Sequence, residues 1–272
     1  MPTITSIAPT QGHNGQSLVV TGTGFVAPVK VNFGTKSVTG TVGGGGTTVT
    51  CTIPTLCAGS YPVSVSQGTL TSNSVPFFYI GTPDCSGLGA STGPIAPPAL
   101  TIYGSGLSTA NVVGGGVAFG TVGTVTAGAV TIVNDGQITV TPPVHPAFGA
   151  GVSTDTVDVT VTTAGGASFS GGATTQFTYY NLPTVTGLSP ATGSVGTSTT
   201  VTGTSFVSVI DVTFTPTGGG AATSADSFNV TPDDAHLVAV VPTGLAAGTY
   251  DVQVITPGGT SAVVAGDVFT VV

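Results

Sequence analysis

The chain has no glutamate, no arginine and no tryptophan, and only two lysines, one methionine and three cysteines in 272 residues. Each shortage removes a class of function. A nucleic-acid binder neutralises a row of phosphates with Lys and Arg, which Lys30 and Lys36 cannot do in a chain of formal net charge -8. The same count excludes an anion clamp built on arginine. Sugar-stacking platforms favour large aromatics, and tryptophan is missing. Retaining glycosidase chemistry needs paired carboxylates, and residues 1–80 hold no acid at all. Gly, Thr, Ser or Asp interrupts every apolar run before it reaches the roughly 18 residues of a spanning helix, so no membrane insertion is expected.

What is present is apolar and turn-rich: 43 Gly, 19 Pro and 40 % hydrophobic residues. Val, Ile, Phe and Tyr alternate with Thr and Ser, as in Thr48-Val49-Thr50-Cys51-Thr52-Ile53 and Val157-Asp158-Val159-Thr160-Val161-Thr162. That is the period of a strand with one buried face. Helix formers are scarce, so the fold is read as all-β. The opening residues Met1-Pro2-Thr3-Ile4-Thr5-Ser6-Ile7 run straight into this alternation, without the basic and apolar regions of a secretory leader.

An internal repeat organises the sequence. At a constant offset of 181, Ile4, Pro9, Gly15, Val20, Gly22, Phe25, Val31 and Phe33 match Val185, Pro190, Gly196, Val201, Gly203, Phe206, Val212 and Phe214. After small insertions, Gly59, Tyr61, Val63 and Val65 match Gly248, Tyr250, Val252 and Val254. A weaker middle copy answers with Gly104-Ser105-Gly106-Leu107, Phe119-Gly120-Thr121 and Ile138, Val140 and Pro143. Each of the first two copies ends in an aromatic strand, Phe77-Phe78-Tyr79 or Phe177-Thr178-Tyr179, with Pro83 or Pro183 soon after. Three domains are therefore expected, at 1–80, 81–180 and 181–272, joined by short linkers.

Pro9…Gly22-Thr23-Gly24-Phe25…Phe33-Gly34…Pro54…Gly59-Ser60-Tyr61-Pro62-Val63-Ser64-Val65, and its counterpart Pro190…Gly203-Thr204-Ser205-Phe206…Phe214…Pro242…Gly248-Thr249-Tyr250-Asp251-Val252-Gln253-Val254, resemble the IPT/TIG family of immunoglobulin-like domains. The middle copy departs from the pattern, with Val157 in the tyrosine's place and Leu107 in the phenylalanine's. The resemblance implies three tandem β-sandwiches without catalytic residues of their own, and it implies fold more strongly than function. It also bears on the cysteines. Cys51 takes the inward place of Ala239, whereas Cys57 falls in the loop after Pro54 and Cys85 just after the first copy. In such a sandwich that loop and the end of the last strand share a pole, which brings Cys57 and Cys85 within reach of a disulfide and leaves Cys51 a buried thiol.

Strand faces of Thr, Ser, Gly and Ala carry little charge against edge-to-edge association, so the edges are expected to be covered, most simply by another copy or a host surface. Charge is also unevenly placed: +2 in residues 1–80, -4 in 81–180 and -6 in 181–272. Lys30 and Lys36 are thus candidate inter-subunit contacts to a neighbour's acidic domain, the alternative being two solvated lysines. The other candidates are bland. Gly89-Ala90-Ser91-Thr92-Gly93 fits a nucleophile-elbow pattern but is expected in a Gly/Pro-rich linker with no helix to follow. His13, His145 and His236 fall one per copy, as surface loop histidines. Asp233-Asp234 fits a turn as well as a calcium loop. Asn229-Val230-Thr231 is a glycosylation sequon, meaningful in a glycosylating pathway.

No catalytic residue, metal or cofactor is expected. Three readings follow in order. The first is a structural or decorating subunit of an extracellular assembly such as a phage virion, which needs no leader because particles leave by lysis. The second is a bacterial secreted or cell-surface adhesin. The third is an accessory carbohydrate-binding module.

Overall fold

A computed structural model describes residues 1–110, 116–125, 127–169 and 171–272. Three buried apolar clusters follow one another along the chain, spanning residues 4–79, 85–179 and 185–271. Each is the interior of a β-sandwich, so the chain is three immunoglobulin-like sandwiches in tandem.

In the first sandwich the strands are β1 (Thr3–Ala8), β2 (Gln11–Gly12), β3 (Ser17–Thr23), β4 (Val29–Phe33), β5 (Lys36–Gly43), β6 (Thr48–Thr52), β7 (Gly59–Gln67), β8 (Leu70–Thr71) and β9 (Val75–Tyr79). Alternation delivers the core. Leu18 and Val20 of β3, Val31 and Phe33 of β4, Val49 of β6, Val63 and Val65 of β7 and Phe77 of β9 are fully buried, while their neighbours face outward. Each such side chain contributes about 1.5–3 kcal/mol on burial. Phe33 and Phe77 meet edge to face at 5.6 Å.

In the first sandwich the chain itself joins the two sheets at both sides, so no external cover is needed there. On one side β1 pairs antiparallel with β3, and two residues later β2 pairs in parallel with β9 in the opposite sheet. On the other side β5 pairs first with β4, from Lys36 to Gly40, and then with β6, from Thr41 to Gly43. Gly40 sits at the crossing, where a methyl group would lie 2.4 Å from Val49 Cγ1 and 3.1 Å from Val29 Cγ2. A larger residue therefore has no room at that corner.

The second and third sandwiches share one strand order. The second pairs Asp84–Leu88, Leu100–Ser105, Gln137–Val140 and Thr131–Asn134 in one sheet, against Thr92–Pro94, Gln176–Tyr180, Thr154–Thr163, Val117–Phe119 and Gly123–Val125 in the other. The third repeats this with Thr184–Ser189, Ser198–Thr204, His236–Val240 and Ser227–Val230 against Thr192–Gly193, Val268–Val271, Gly248–Thr256, Asp211–Pro216 and Thr223–Ser224. In both, the counterpart of β5 is two separate strands, one in each sheet. Among the described residues, no continuous strand bridges this side in these two as β5 does in the first.

One bond recurs three times and was not read from the sequence. After the hairpin that follows each central strand, a serine hydroxyl accepts the N–H of the residue seven positions earlier: Val65 to Ser72 at 2.9 Å, Val161 to Ser168 at 3.0 Å and Val254 to Ser261 at 3.0 Å. The equal Val-to-Ser spacing in all three copies was the available signal.

Candidate functional site

Lys30 and Lys36 are both exposed and, among the described residues, make no ion pair. The two-residue turn Gly34-Thr35 pairs Phe33 with Lys36 and so Lys30 with Thr39. Directly paired residues share a face. Lys36 therefore lies on the face of Phe33, whereas Lys30, three residues from Phe33, lies on the other. The two lysines do not form one cationic patch, and a contact through both would engage two surfaces.

The expected Cys57–Cys85 disulfide is not formed, and all three cysteines are free. Cys85, on the strand Asp84–Leu88, turns inward and belongs to the second core, while Cys57 is exposed on the first sandwich. Cys51 is buried, and burial pushes its thiol up to about 11. The Cys85 thiol is also raised, chiefly by burial. Neither buried cysteine is an activated nucleophile.

The elbow-like Ser91 sits inside the second sandwich rather than in a linker. It lies where the chain crosses between sheets, its carbonyl accepting Thr178 N–H at 2.8 Å, and the strand Thr92–Pro94 follows it.

Two of the three histidines pair with aspartates. His145 is packed rather than loose: its side chain is 10 % exposed, Nε2 lies 3.0 Å from Asp155 Oδ2, and its ring stacks on Phe148 at 4.2 Å and leans on Tyr179 at 5.1 Å. The position explains this. In the first and third sandwiches a tyrosine hydroxyl donates to the backbone four residues back, Tyr61 to Cys57 O at 3.0 Å and Tyr250 to Ala246 O at 2.9 Å. The second sandwich has Val157 there, and Tyr179 from the last strand donates instead to Pro143 O at 3.0 Å. The His145 loop closes over that substitute. Burial, with the nearby Asp155 charge, pushes the Tyr179 hydroxyl up to about 12.

Asp233 behaves as a turn residue. Its Oδ1 accepts the Thr231 hydroxyl at 2.6 Å and the N–H groups of Ala235 and His236, and its Oδ2 meets His236 Nδ1 at 2.6 Å. The Thr231 hydroxyl, followed by the His236 ring, holds this carboxyl well below the usual range. Both oxygens are engaged in shaping the loop. Among the described residues no three His, Cys, Asp or Glu are grouped as a metal site.

The concave surfaces lie at the junctions between sandwiches, and they correspond. A cleft of about 580 Å³ between the first and second is lined by Gln11, Phe78, Gly81, Gly106, Ser108 and Asp135. One of about 420 Å³ between the second and third is lined by Phe148, Ser153, Asn181, Ser205 and Asp234. In each, a hairpin turn supports the loop that ends the second long strand: Leu107 N–H bonds Asp135 O and Phe206 N–H bonds Asp234 O, both at 2.9 Å. Asp135 also accepts Gly106 N–H and Ser108 N–H, and hydrogen bonds from the Ser108 side chain and Gly106 N–H lower its carboxyl. These clefts join polar turns to an aromatic side chain, Phe78 in the first and Phe148 in the second.

Among the described residues no helix is long and apolar enough to cross a membrane. A family model for the IPT/TIG domain matches residues 2–79 and 183–271. No curated protein matches the chain. Similar solved structures include a protein crystallised with a xylogluco-oligosaccharide, at 17 % identity and TM-score 0.42, over 99 % of this chain and 60 % of that one. Another is the plexin A4 extracellular region, at 16 % identity and TM-score 0.35, over 94 % of this chain and 23 % of that one. A third is the chicken CNTN1 FN1–FN3 tandem, at 11 % identity and TM-score 0.28, over 99 % of this chain and 98 % of that one. The chain thus spans less than two thirds of the first two.

Proposed function

The chain belongs to the IPT/TIG family of immunoglobulin-like domains, and on that premise we propose that it is a non-enzymatic structural or decorating subunit of an extracellular assembly, a phage virion surface component, acting through protein–protein contacts. The observation that carries this reading is the surface. Large apolar side chains stand in the open on strands and loops, Phe78 at 56 %, Ile210 at 63 % and Phe169 at 82 % exposure, on a chain with two lysines and no arginine. A surface with so few charges has little electrostatic protection against association with other protein surfaces. Copies of the chain, or another subunit, are the partners this reading names. Lys30 and Lys36 are its proposed polar contacts, each on its own face of the β4–β5 ribbon.

Sedimentation velocity of the full-length chain at low and high salt, with electron microscopy of the fast fraction, tests it. Oligomers that weaken with salt, and weaken further in Lys30→Ser and Lys36→Ser, are expected. A monodisperse 26 kDa monomer under all conditions overturns self-association and moves the reading to an adhesin.

One observation favours a second reading as an accessory carbohydrate-binding module: Phe78 is an exposed ring at the edge of a cleft that also presents Gln11, Ser108 and Asp135. Glycan-array binding that Phe78→Ala abolishes supports it. A blank array removes it.

A further inference from the structure

Two hairpins carry the same six-residue signature, Thr163-Ala164-Gly165-Gly166-Ala167-Ser168 and Thr256-Pro257-Gly258-Gly259-Thr260-Ser261. Both are built alike. The buried threonine hydroxyl accepts the N–H of the first glycine, Gly165 to Thr163 Oγ1 and Gly258 to Thr256 Oγ1, each at 3.1 Å. The serine closes the other end through its bond to Val161 or Val254. The hairpin tip is thereby held in one shape.

The first glycine of each tip presses on the backbone leaving the preceding sandwich. A methyl group at Gly165 would lie 1.8 Å from the carbonyl oxygen of Gly81, and one at Gly258 would lie 2.1 Å from that of Asn181. Both distances are to backbone, which cannot swing aside as a side chain would. Gly81 and Asn181 hold the same place, two residues after Tyr79 or Tyr179 and two before Pro83 or Pro183. One contact is therefore made twice. Around the first junction, Gln11, His13 and Ile80 of the first sandwich line a hollow of about 320 Å³ together with Thr163 and Ala164 of the second.

The first sandwich has the hairpin without the signature. It reads Gln67-Gly68-Thr69-Leu70-Thr71-Ser72, and pairing of Gln67 with Leu70, as Thr163 pairs with Gly166 and Thr256 with Gly259, puts Thr69 where Gly165 and Gly258 stand. Gln67 turns away to its own sandwich, donating to Gly24 O at 2.9 Å and accepting Val26 N–H at 3.0 Å.

We propose that the Thr-x-Gly-Gly-x-Ser hairpin is a docking element for the exit segment of another sandwich of this kind, locking neighbours in one repeated orientation. Thr69 leaves the first sandwich unable to accept a sandwich end by this contact, which makes it a capping unit. The partner such a hairpin fits is bare backbone, two residues beyond a last strand and two before a proline.

Nitrogen-15 relaxation on the full-length chain reads this directly. The unaltered chain should give one common rotational tumbling for all three sandwiches. Gly165→Val should release the first sandwich from the other two, and Gly258→Val should release the third, with core amide shifts retained. Gly244→Val, at a glycine with no atom within 4 Å, should change nothing. Independent tumbling in the unaltered chain overturns the proposal, whether or not the variants fold, and so does common tumbling in both folded junction variants. For the cap, two full chains are fused with one asparagine between Val272 and Met1, restoring the spacing of Tyr180-Asn181-Leu182-Pro183. The new junction should be loose with Thr69 in the second copy and tight with Thr69→Gly. A junction already tight with Thr69, or loose with Thr69→Gly, overturns the capping role.

Discussion

The first and third sandwiches share the family pattern and the same core positions, yet they manage their sides by different means. In the first, β5 runs unbroken from one sheet to the other, and residues 1–80 contain no acid. In the third, that strand is split into Thr223–Ser224 and Ser227–Val230, and carboxylates stand at the break. Asp211 accepts the Ser224 hydroxyl at 2.7 Å, and Asp226 accepts Thr243 N–H at 3.0 Å. Continuity of backbone and local charge are two solutions to one problem, an edge open to foreign strands.

Five variants break or sharpen the comparison, each followed by calorimetry with hydrogen exchange to assign the transition to its sandwich. The largest effect is expected where the two sandwiches are alike. A methyl at Gly22 would meet Thr3 O at 1.9 Å and one at Gly203 would meet Thr184 O at 1.8 Å, with a phenylalanine ring close behind in both. Gly22→Ala and Gly203→Ala should each cost their own sandwich more than about 4 kcal/mol, to a similar degree. Unequal losses would show that the shared pattern hides different packing. Next, Gly40→Val should cost about 3 kcal/mol in the first sandwich and leave the third transition in place, because the third lacks the crossing strand.

The third effect depends on pH. Asp267 is fully buried, its Oδ2 accepts Val264 N–H at 3.0 Å, and its Oδ1 has no partner among the described residues. Burial, aided by the Asp251 charge, raises its carboxyl above the ordinary value. The folded third sandwich then holds a proton more tightly than the unfolded chain, so its stability falls as pH climbs from about 3.9 through the raised folded value. Asp267→Asn should remove that slope and raise stability at pH 7 by about 1–2 kcal/mol. The first sandwich has Asn73 in the same connection, bonded to both Ile4 N–H and Ile4 O, and should show no such slope between about pH 3 and 5, where an ordinary carboxyl titrates. Last and smallest, Ser205 holds the left-handed conformation that Gly24 and Gly106 hold in the other copies, at φ 60° against 75° and 70°. Ser205→Gly should stabilise the third sandwich by about 0.5 kcal/mol.

How much of this was legible in the sequence differs by kind of interaction. Alternation and the repeat at offset 181 carried the all-β fold and the sandwich core, because burial on one face imposes a period of two on the residues themselves. The tyrosine contacts were visible as Tyr61 and Tyr250, and the departure at Val157 was visible too, but its compensation by Tyr179 and His145 depends on contacts between distant segments. That Lys30 and Lys36 lie on opposite faces follows from the register, which the turn Gly34-Thr35 contained. Cys85 was placed at a domain end by counting along the chain, whereas its strand turns it into a core. The Thr-x-Gly-Gly-x-Ser signature was plain in two copies, but its meaning lies in a carbonyl some 80 residues away in sequence.

The parallel pairing of β2 with β9 has a mechanical consequence. In each sandwich the second strand and the last lie side by side and run the same way, Gln11–Gly12 beside Phe78–Tyr79, Thr92–Pro94 beside Thr178–Tyr180, and Thr192–Gly193 beside Thr270–Val271. Tension along the chain slides these strands past each other, so their hydrogen bonds are strained together rather than opened one by one. The second sandwich, with three paired positions there against two in each of the others, is the one that should yield last under load.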